Sequence, residues 1–385
     1  MNVLSPADQA EAAAALAGSE GRVEIRGAGT ARDWAGRPAP ADLVLDTTAM
    51  TGVITHNPGD MTVSVLAGTP LRALNDTLAA HGQRVAFDAA RVGLGATVGG
   101  LVATADTGPS ALVHGSLRDL VIGTTVVLAD GTRARSGGHV IKNVAGYDLS
   151  KLLHGCHGTL ALVAEVVLRL HPAPAAEATV RLPCTIDGAA GAARVVLSSP
   201  TEPGALEWAD GELLVRLSGT PSTAAARAER LSRLLGPPAE VLDPATAAQA
   251  WGRHAELVTG PGDTAADDPA GGPGMLRIGV RPSRLPGLLS ALLGELGASG
   301  ITAGLGTGVA TLALPSDPAT VERAHELVHR AGGTSMLRSR PPRSEAPAWG
   351  PPPSAIGVLR AIRTQLDPRG RFGGGRFSPW MEVTG

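Results

Sequence analysis

Three stretches of this chain place glycine, alanine and threonine at strand ends: "RGAGT" (26–30), "GLGATVGGLVATADTG" (93–108) and "HGCHGTLALVAEV" (154–166). Small residues there let backbone lie directly against a flat or phosphate-bearing ligand, where a Cβ would intrude. Successive N–H groups over Gly27, Ala28, Gly29 and Thr30 can form an anion-binding nest without a helix dipole. Taken alone, that loop reads better as a tight surface turn. Three such loops together suit a large phosphate-bearing cofactor gripped mainly by backbone. Two nucleotide motifs are excluded. Arg32 stands where the third glycine of a dinucleotide fingerprint belongs, and Pro38 and Pro40 deny the following helix. No GxxxxGK occurs, so a P-loop is absent.

The chain has 385 residues, 43% of them hydrophobic, and is long enough for two or three domains with substantial cores. A net charge of −2 and 2% aromatic content supply neither the basic footprint nor the stacking platform of a nucleic-acid binder. Cys156 and Cys184 lie far apart and form no CxxC, which excludes an iron–sulfur cluster or structural zinc held by this chain. No metal site is expected. The N-terminal residues lack the pattern of a signal peptide, and no apolar run approaches a spanning helix of roughly 18 residues. The expectation is a cytoplasmic protein that meets a membrane only through partners.

Local patterns predict an Ala-rich helix over 7–17, strands at 22–26 and 42–48, and a helix over 69–82. In that helix Thr69 is the expected cap, Pro70 the first turn, Gly82 the stop, and Leu71, Leu74 and Leu78 the buried stripe. Residues 121–137 predict a hairpin turning at Asp130–Gly131, and 161–170 a strand. An Ala/Pro linker near 172 marks a boundary. Beyond it a strand–helix theme repeats, with strands at 212–219 and 275–283 and a mobile loop at 259–274. This order suits an antiparallel sheet with helices on one face. A Pro-rich connector from about 340 leads to a last helix and the tail "LDPRGRFGGGRFSPW".

One segment carries a compositional anomaly. Only two of the 33 basic residues are lysine, Lys142 and Lys151, and both fall in "HVIKNVAGYDLSKLLHGCHGTL" with the only tyrosine, Tyr147. Asp148 and Lys151, three apart, read equally as a helical ion pair.

The stretches "RGAGT", "PGDMTVSVLAGTPLRALNDTLAAHGQ", "GATVGG", "GSLRDLVIGTTVVLADGT" and "KNVAGYDLSKLLHGCHGTLALVAEV" occur in that order. In this they resemble the FAD-binding domain of the vanillyl-alcohol oxidase / p-cresol methylhydroxylase (PCMH-type) flavoproteins. Within that superfamily, "KNVAGYDLSKL" and the tail are similar to the FAD-binding subunit of bacterial glycolate oxidase. The tail departs at "FGGGRF", where that family usually shows Asn-Pro-Gly. The resemblance implies an α+β protein: a two-subdomain FAD-binding domain (1–172), a smaller ferredoxin-like α+β cap (173–340) and a C-terminal segment returning to the FAD domain (341–385).

It also implies roles. Gly27, Ala28, Gly29 and Thr30 match the pyrophosphate loop, and Ala96, Thr97, Gly99 and Gly100 the segment lining the flavin and its phosphates. Arg118, Asp119, Gly158, Thr159 and Leu160 match positions near the cofactor, and the segment bearing Lys142 and Tyr147 becomes a wall of its site. Relatives with covalent flavin carry His in or after the first loop; Thr30 stands here, so FAD is expected to be dissociable.

Oxidation of a 2-hydroxyacid by flavin needs a carboxylate anchor and a base. Arg216 and Arg277, on two predicted strands, are candidate anchors suited to bidentate capture, or else solvated strand residues. Tyr147 is a further catalytic candidate. His114 and His139 have no identifiable partner, and His154 and His157 read as surface loop residues, so the base is unassigned. The second domain lacks the His/Asp/Asn-rich metal and substrate motif of catalytic relatives. The expected function is therefore the FAD-binding subunit of a glycolate-oxidising complex, with a homologous flavoprotein subunit and an iron–sulfur subunit as partners. The alternatives are a structural or electron-relay subunit, and a free-standing flavin oxidase of 2-hydroxyacids or sugars.

Overall fold

The computed structural model describes residues 2–140, 147–260 and 272–381. Lys142 and most of the predicted 259–274 loop lie outside the described residues. The chain divides into two compact units, one of Met1–Gly108, His114–Ala173 and Pro352–Gly385, the other of Pro109–Val113 and Pro174–Pro351.

The first unit opens with β1 (Asn2–Leu4), α1 (Gln9–Ala17), β2 (Val23–Arg26) and β3 (Leu43–Asp46), whose strands form a parallel sheet in the order β1-β3-β2. Next come β4 (Val53–Asn57), β5 (Thr62–Leu66), α2 (Leu71–Ala79), β6 (Gln83–Arg84) and α3 (Val98–Thr104). They are followed by α4 (Ala111–His114), α5 (Leu117–Leu120), β7 (Val121–Val127), β8 (Arg133–Gly137), α6 (Ser150–Leu153), β9 (Leu162–Arg169) and β10 (His171–Pro172). Five of these strands make an antiparallel sheet in the order β4-β5-β9-β7-β8, and β6 pairs with β10.

α2 buries Leu71, Leu74 and Leu78 as the periodicity requires. Its start differs: Pro70 is the N-cap, and Thr69 Oγ1 instead accepts from the Gly52 amide at 2.9 Å. The cap residue was drawn off by a tertiary bond that local sequence does not show.

Central strand β9 is buried on both faces, which explains its nearly continuous apolar run. Thr125 pairs with Glu165 while Val126 pairs with Val163, so Ala164 is an extra residue in β9. The bulge inverts the side-chain alternation. Leu162 and Ala164 join the core of α1, β2 and β3, while Val163, Val166 and Leu168 join that of α2 and α3. Glu165, 8% exposed, accepts from Gln9 Nε2 at 3.0 Å and Thr125 Oγ1 at 2.9 Å.

The second unit contains β11 (Ala176–Pro183), α7 (Ile186–Ser198), β12 (Ala205–Ala209), β13 (Glu212–Gly219), α8 (Pro221–Leu235) and β14 (Glu240–Leu242). After α9 (Pro244–Thr259) the same βαββαβ order returns as β15 (Gly274–Gly279), α10 (Leu285–Leu296), β16 (Ser299–Gly304), β17 (Val309–Leu314), α11 (Pro318–Arg330) and β18 (Thr334–Ser339). The eight strands form one antiparallel sheet, β14-β11-β13-β12-β16-β17-β15-β18, two ferredoxin-like halves joined where β12 pairs with β16. α7, α8, α10 and α11 pack on one face. The expectation of helices on one face alone is corrected by α9. Its Ala247, Ala250 and Trp251 pack against Leu214, whose strand neighbours Leu213 and Val215 point into the opposite core.

The chain then returns to the first unit with α12 (Ile356–Leu366) and the tail. Phe372, 0% exposed, packs with Val23, Leu43 and Leu45, and Arg371 O accepts from Val23 N at 2.8 Å. The buried Arg371 guanidinium donates to the carbonyls of Leu16 and Gly21 at 3.0 Å each, to that of Ala129, and to Ser19 Oγ at 2.9 Å. Asp367 holds the bend by accepting from the amides of Arg371 and Phe372 at 3.0 and 2.7 Å.

Arg371→Met leaves several buried carbonyls without their donor, a loss of about 3 kcal/mol. The expected outcome in scanning calorimetry is a melting temperature lower by about 6–12 °C; a shift below about 2 °C contradicts this role for Arg371.

Candidate functional site

A cleft of about 880 Å³, part of it open to solvent, lies wholly within the first unit. Three wall segments meet there: β2 with the loop 27–32, residues 96–104, and residues 157–163.

Missing side chains let these segments approach. A Cβ on Gly27 would stand 2.6 Å from Thr97 Oγ1, and one on Gly99 2.8 Å from Ala67 Cβ. The Gly99 amide donates to Ala67 O at 2.8 Å, and Thr97 Oγ1 accepts from Gly100 N at 3.2 Å. Gly29 differs. Its φ is +75°, and a Cβ there would meet no protein atom within 4 Å, so the chain leaves the space beside it open. Such a glycine-lined cradle fits a phosphate-bearing cofactor such as FAD.

Of the residues expected at the cofactor, Gly27, Ala28, Gly29, Thr30, Ala96, Thr97, Gly99, Gly100 and Gly158 line this cleft. The others stand elsewhere. Asp119 accepts from the Ser116 amide at 2.9 Å in the capping box of α5, and Arg118 contributes its backbone amide to the same cap. Thr159 is buried and donates to Cys156 O at 2.7 Å; Leu160 is buried beside it. Tyr147 is 92% exposed and is no part of the cleft lining, contrary to the expected cofactor wall. Lys151 makes the ion pair with Asp148 at 3.4 Å and also donates to the carbonyls of Arg118 and Val121.

The sequence analysis missed the cleft's cations. Arg26, Arg32, Arg91 and Arg376 line it against one carboxylate, Glu24. Arg32 forks onto Glu24 at 2.9 and 3.2 Å, and that hydrogen bond and charge raise its pKa above the usual arginine value. Arg91 donates to Thr30 O and lies 4.3 Å over the Trp34 ring. Arg376 Nη1 donates to Arg32 O at 2.5 Å and Trp34 O at 2.9 Å, and burial lowers its pKa. Arg26 and Arg32 flank the first glycine-rich loop and Arg91 adjoins the second, while Arg376 carries no local signal.

The histidines also differ from expectation. His157 lines the cleft at φ +49° and packs edge-on to Phe377 at 5.6 Å. His139 Nδ1 bonds Thr62 Oγ1 at 3.1 Å. His114 packs on His171 at 4.4 Å. Burial, then the charges of His114, Arg169 and Arg84, lower the His171 pKa from 6.5 to about 4. Among the described residues no three His, Cys, Asp or Glu side chains are placed to hold a metal, and no helix is long and apolar enough to cross a membrane.

The carboxylate-anchor candidates belong to the second unit. Arg216, on β13, lies 5.0 Å over Trp251 with Glu177 at 3.9 Å; Arg277 is on β15. Four inter-strand steps separate β13 from β15, roughly 19 Å at about 4.8 Å each, so the two cannot clamp one carboxylate.

Residues 2–137 match the FAD binding domain family. Glycolate oxidase subunit GlcE of Escherichia coli is 33% identical over 196 residues, 51% of this chain and 56% of that protein. Glycolate oxidase subunit GlcD of Bacillus subtilis is 33% identical over 51% of this chain and 42% of its own length. A D-lactate dehydrogenase of Archaeoglobus fulgidus is 36% identical over 44% and 38%. The matched part thus spans about half or less of these relatives' lengths. Among solved structures, alkyldihydroxyacetonephosphate synthase superposes with a TM-score of 0.72 at 16% identity over 96% of this chain and 75% of that one, a likeness of fold.

Two outcomes follow. Gly29→Val puts a β-branched residue at positive φ and a side chain into the open cradle; FAD affinity should fall at least about tenfold, with the melting of the second unit unchanged. Unchanged flavin occupancy would mean the loop is only a turn. Separately, unfolded His171 takes a proton below about 6.5 and folded His171 below about 4. Its contribution to stability is therefore full above pH 6.5 and is lost as pH falls toward 4. Melting curves of His171→Gln should show a shallower acid slope than wild type between those values.

Proposed function

We propose that this chain, a flavoprotein whose residues 2–137 belong to the FAD binding domain family, is the FAD-holding subunit of an assembly that oxidises a small 2-hydroxyacid, with glycolate the leading candidate. The observation that carries this reading is the glycine-lined, arginine-rich cleft of the first unit, and the likeness to two glycolate oxidase subunits supports it. The D-lactate dehydrogenase match supports the wider class of 2-hydroxyacids.

FAD, when bound, would supply the acceptor for the hydride (two electrons and one proton) that a 2-hydroxyacid loses on becoming a 2-oxoacid, the hydroxyl proton going to a base or to solvent. The chain's own contribution is to hold it. Gly27–Thr30 and the 96–100 segment would approach it through backbone, and the cleft arginines would balance its phosphate charge. Thr30, in place of a histidine, leaves the first loop without a nucleophile for a covalent link, so we read the cofactor as noncovalent. A carboxylate anchor would be Arg277 or Arg216 acting alone. Arg216 is engaged by Trp251 and Glu177. The same engagement favours a second reading, a subunit that holds FAD and relays electrons while a homologous flavoprotein binds substrate. In either reading electrons leave through another chain, for which an iron–sulfur subunit is our candidate, or directly to a small acceptor, since this chain's cysteines are two, 28 residues apart.

Purified protein should be yellow and release free FAD on heating; colourless protein that FAD cannot reconstitute would overturn the reading. Stopped-flow should show flavin reduction by glycolate in the assembly with a second flavoprotein and an iron–sulfur subunit, and little in the isolated chain. Rapid reduction in the isolated chain would remove the partner requirement. Arg277→Lys, which keeps charge but loses the planar fork, should then raise KM for glycolate.

A further inference from the structure

We propose that Arg84, His114, Arg169 and His171 form a binding site for a phosphate group outside the cofactor cleft. None of the four lines that cleft, so the inference goes beyond the cofactor reading and does not rest on it. All four belong to the first unit.

Separate segments bring these side chains together. Arg84 on β6 and His171 on β10 are opposed in the antiparallel pairing of the two strands, so both side chains leave the same face. Arg169 ends β9 two residues before His171, with buried Leu170 between them. His114 closes α4 and sets its ring edge-on to that of His171, with 4.4 Å between centroids.

The side-chain charges that act on the His171 ring, those of His114, Arg169 and Arg84, are all positive. Like charges directly opposite one another on a sheet are destabilising. His171 Nδ1 and Arg84 Nε are also buried without a hydrogen-bond partner among the described residues, which costs stability at each. Buried nitrogens gathered among cations suit an anion that accepts from several directions. A phosphate group does so: its tetrahedral oxygens can take N–H donors from β6, β10 and α4 together, and its double charge matches two guanidinium groups. A carboxylate offers two oxygens in one plane, which a single guanidinium fork satisfies. An anion seated here favours the charged imidazole, so binding and protonation of His171 reinforce each other.

The test uses the FAD-loaded full chain, so that the cleft is filled, with inorganic phosphate as the probe and sodium chloride at matched ionic strength as the control. Titration calorimetry should show saturable phosphate binding, and phosphate should raise the melting temperature. Arg84→Gln should weaken phosphate at least about tenfold and remove that thermal shift, with flavin content unchanged. Its melting temperature without phosphate should be unchanged or higher, because a like charge is gone; an arginine with only a structural role would lower it. The His171 ring, which takes its proton only near pH 4 in the free protein, should titrate at higher pH in saturating sulfate, a dianion throughout that range. The proposal is overturned by a chain that shows no saturable phosphate binding, by an unchanged phosphate Kd in Arg84→Gln, or by glycolate binding at this site in preference to phosphate.

Discussion

Close approach of neighbouring segments to glycine backbone, possible only where a Cβ is missing, is the constraint on which the first unit depends. It operates between Gly27 and Thr97, between Gly99 and Ala67, and between Gly36 and Gly375. In each case a single Cβ would lie within 3 Å of a neighbouring heavy atom. The first two contacts bring two loops together from either side of the cleft; the third brings in the far end of the chain. The cleft exists because segments separated by as many as 340 residues share walls without intervening side chains. Its charge is supplied by Arg26, Arg32, Arg91 and Arg376.

This division explains what the sequence could and could not reveal. Glycine-rich loops, the 121–137 hairpin and the Leu71/Leu74/Leu78 stripe are local signals, legible because propensity, turn chemistry and periodicity act over a few residues. Arg376 enters the cleft by a tertiary route that nothing adjacent to it in sequence marks, whereas Arg26 opens the first glycine-rich loop and Arg91 stands just before the second. Thr69 shows the same limit: its composition and position suit a cap, yet the Gly52 amide takes its hydroxyl. Tyr147 illustrates the converse. Rarity made it conspicuous, but rarity is a property of composition, and the ring is exposed. His157 was within reach, since it lies inside the third glycine-rich segment and takes a left-handed φ there, between two glycines of the same hand.

The departure of the tail from the resembled family also finds a physical reason. Asn-Pro-Gly at the same place would constrain φ at proline and add side chains. Here Gly373 and Gly375 take φ of +56° and +83°, and all three glycines face neighbours at 3.3 Å or less from a would-be Cβ. The run is thus a packing requirement of the 36–39 segment and of Thr159. Arg371 and Asp367 fix the approach to it, one by donating to three carbonyls and the other by accepting from two amides.

The second unit follows a different logic, in which repetition replaces close approach. Two βαββαβ halves share one eight-stranded sheet because β12 and β16 pair edge to edge, removing an exposed edge from each half. Four helices cover one face with a continuous apolar core. The opposite face is different in kind. Thr179, Glu207, Thr302, Thr311 and Arg338 are all buried there, opposite to strand neighbours that enter the main core, and α9 adds His254, which bonds Glu207 at 3.3 Å. A face built only for stability would be apolar, since an unsatisfied buried polar group costs more than its bond returns. Its polar side chains set Arg216 and Arg277, on the same face, in surroundings that can hold charge, which is the condition any carboxylate anchor on this sheet must meet.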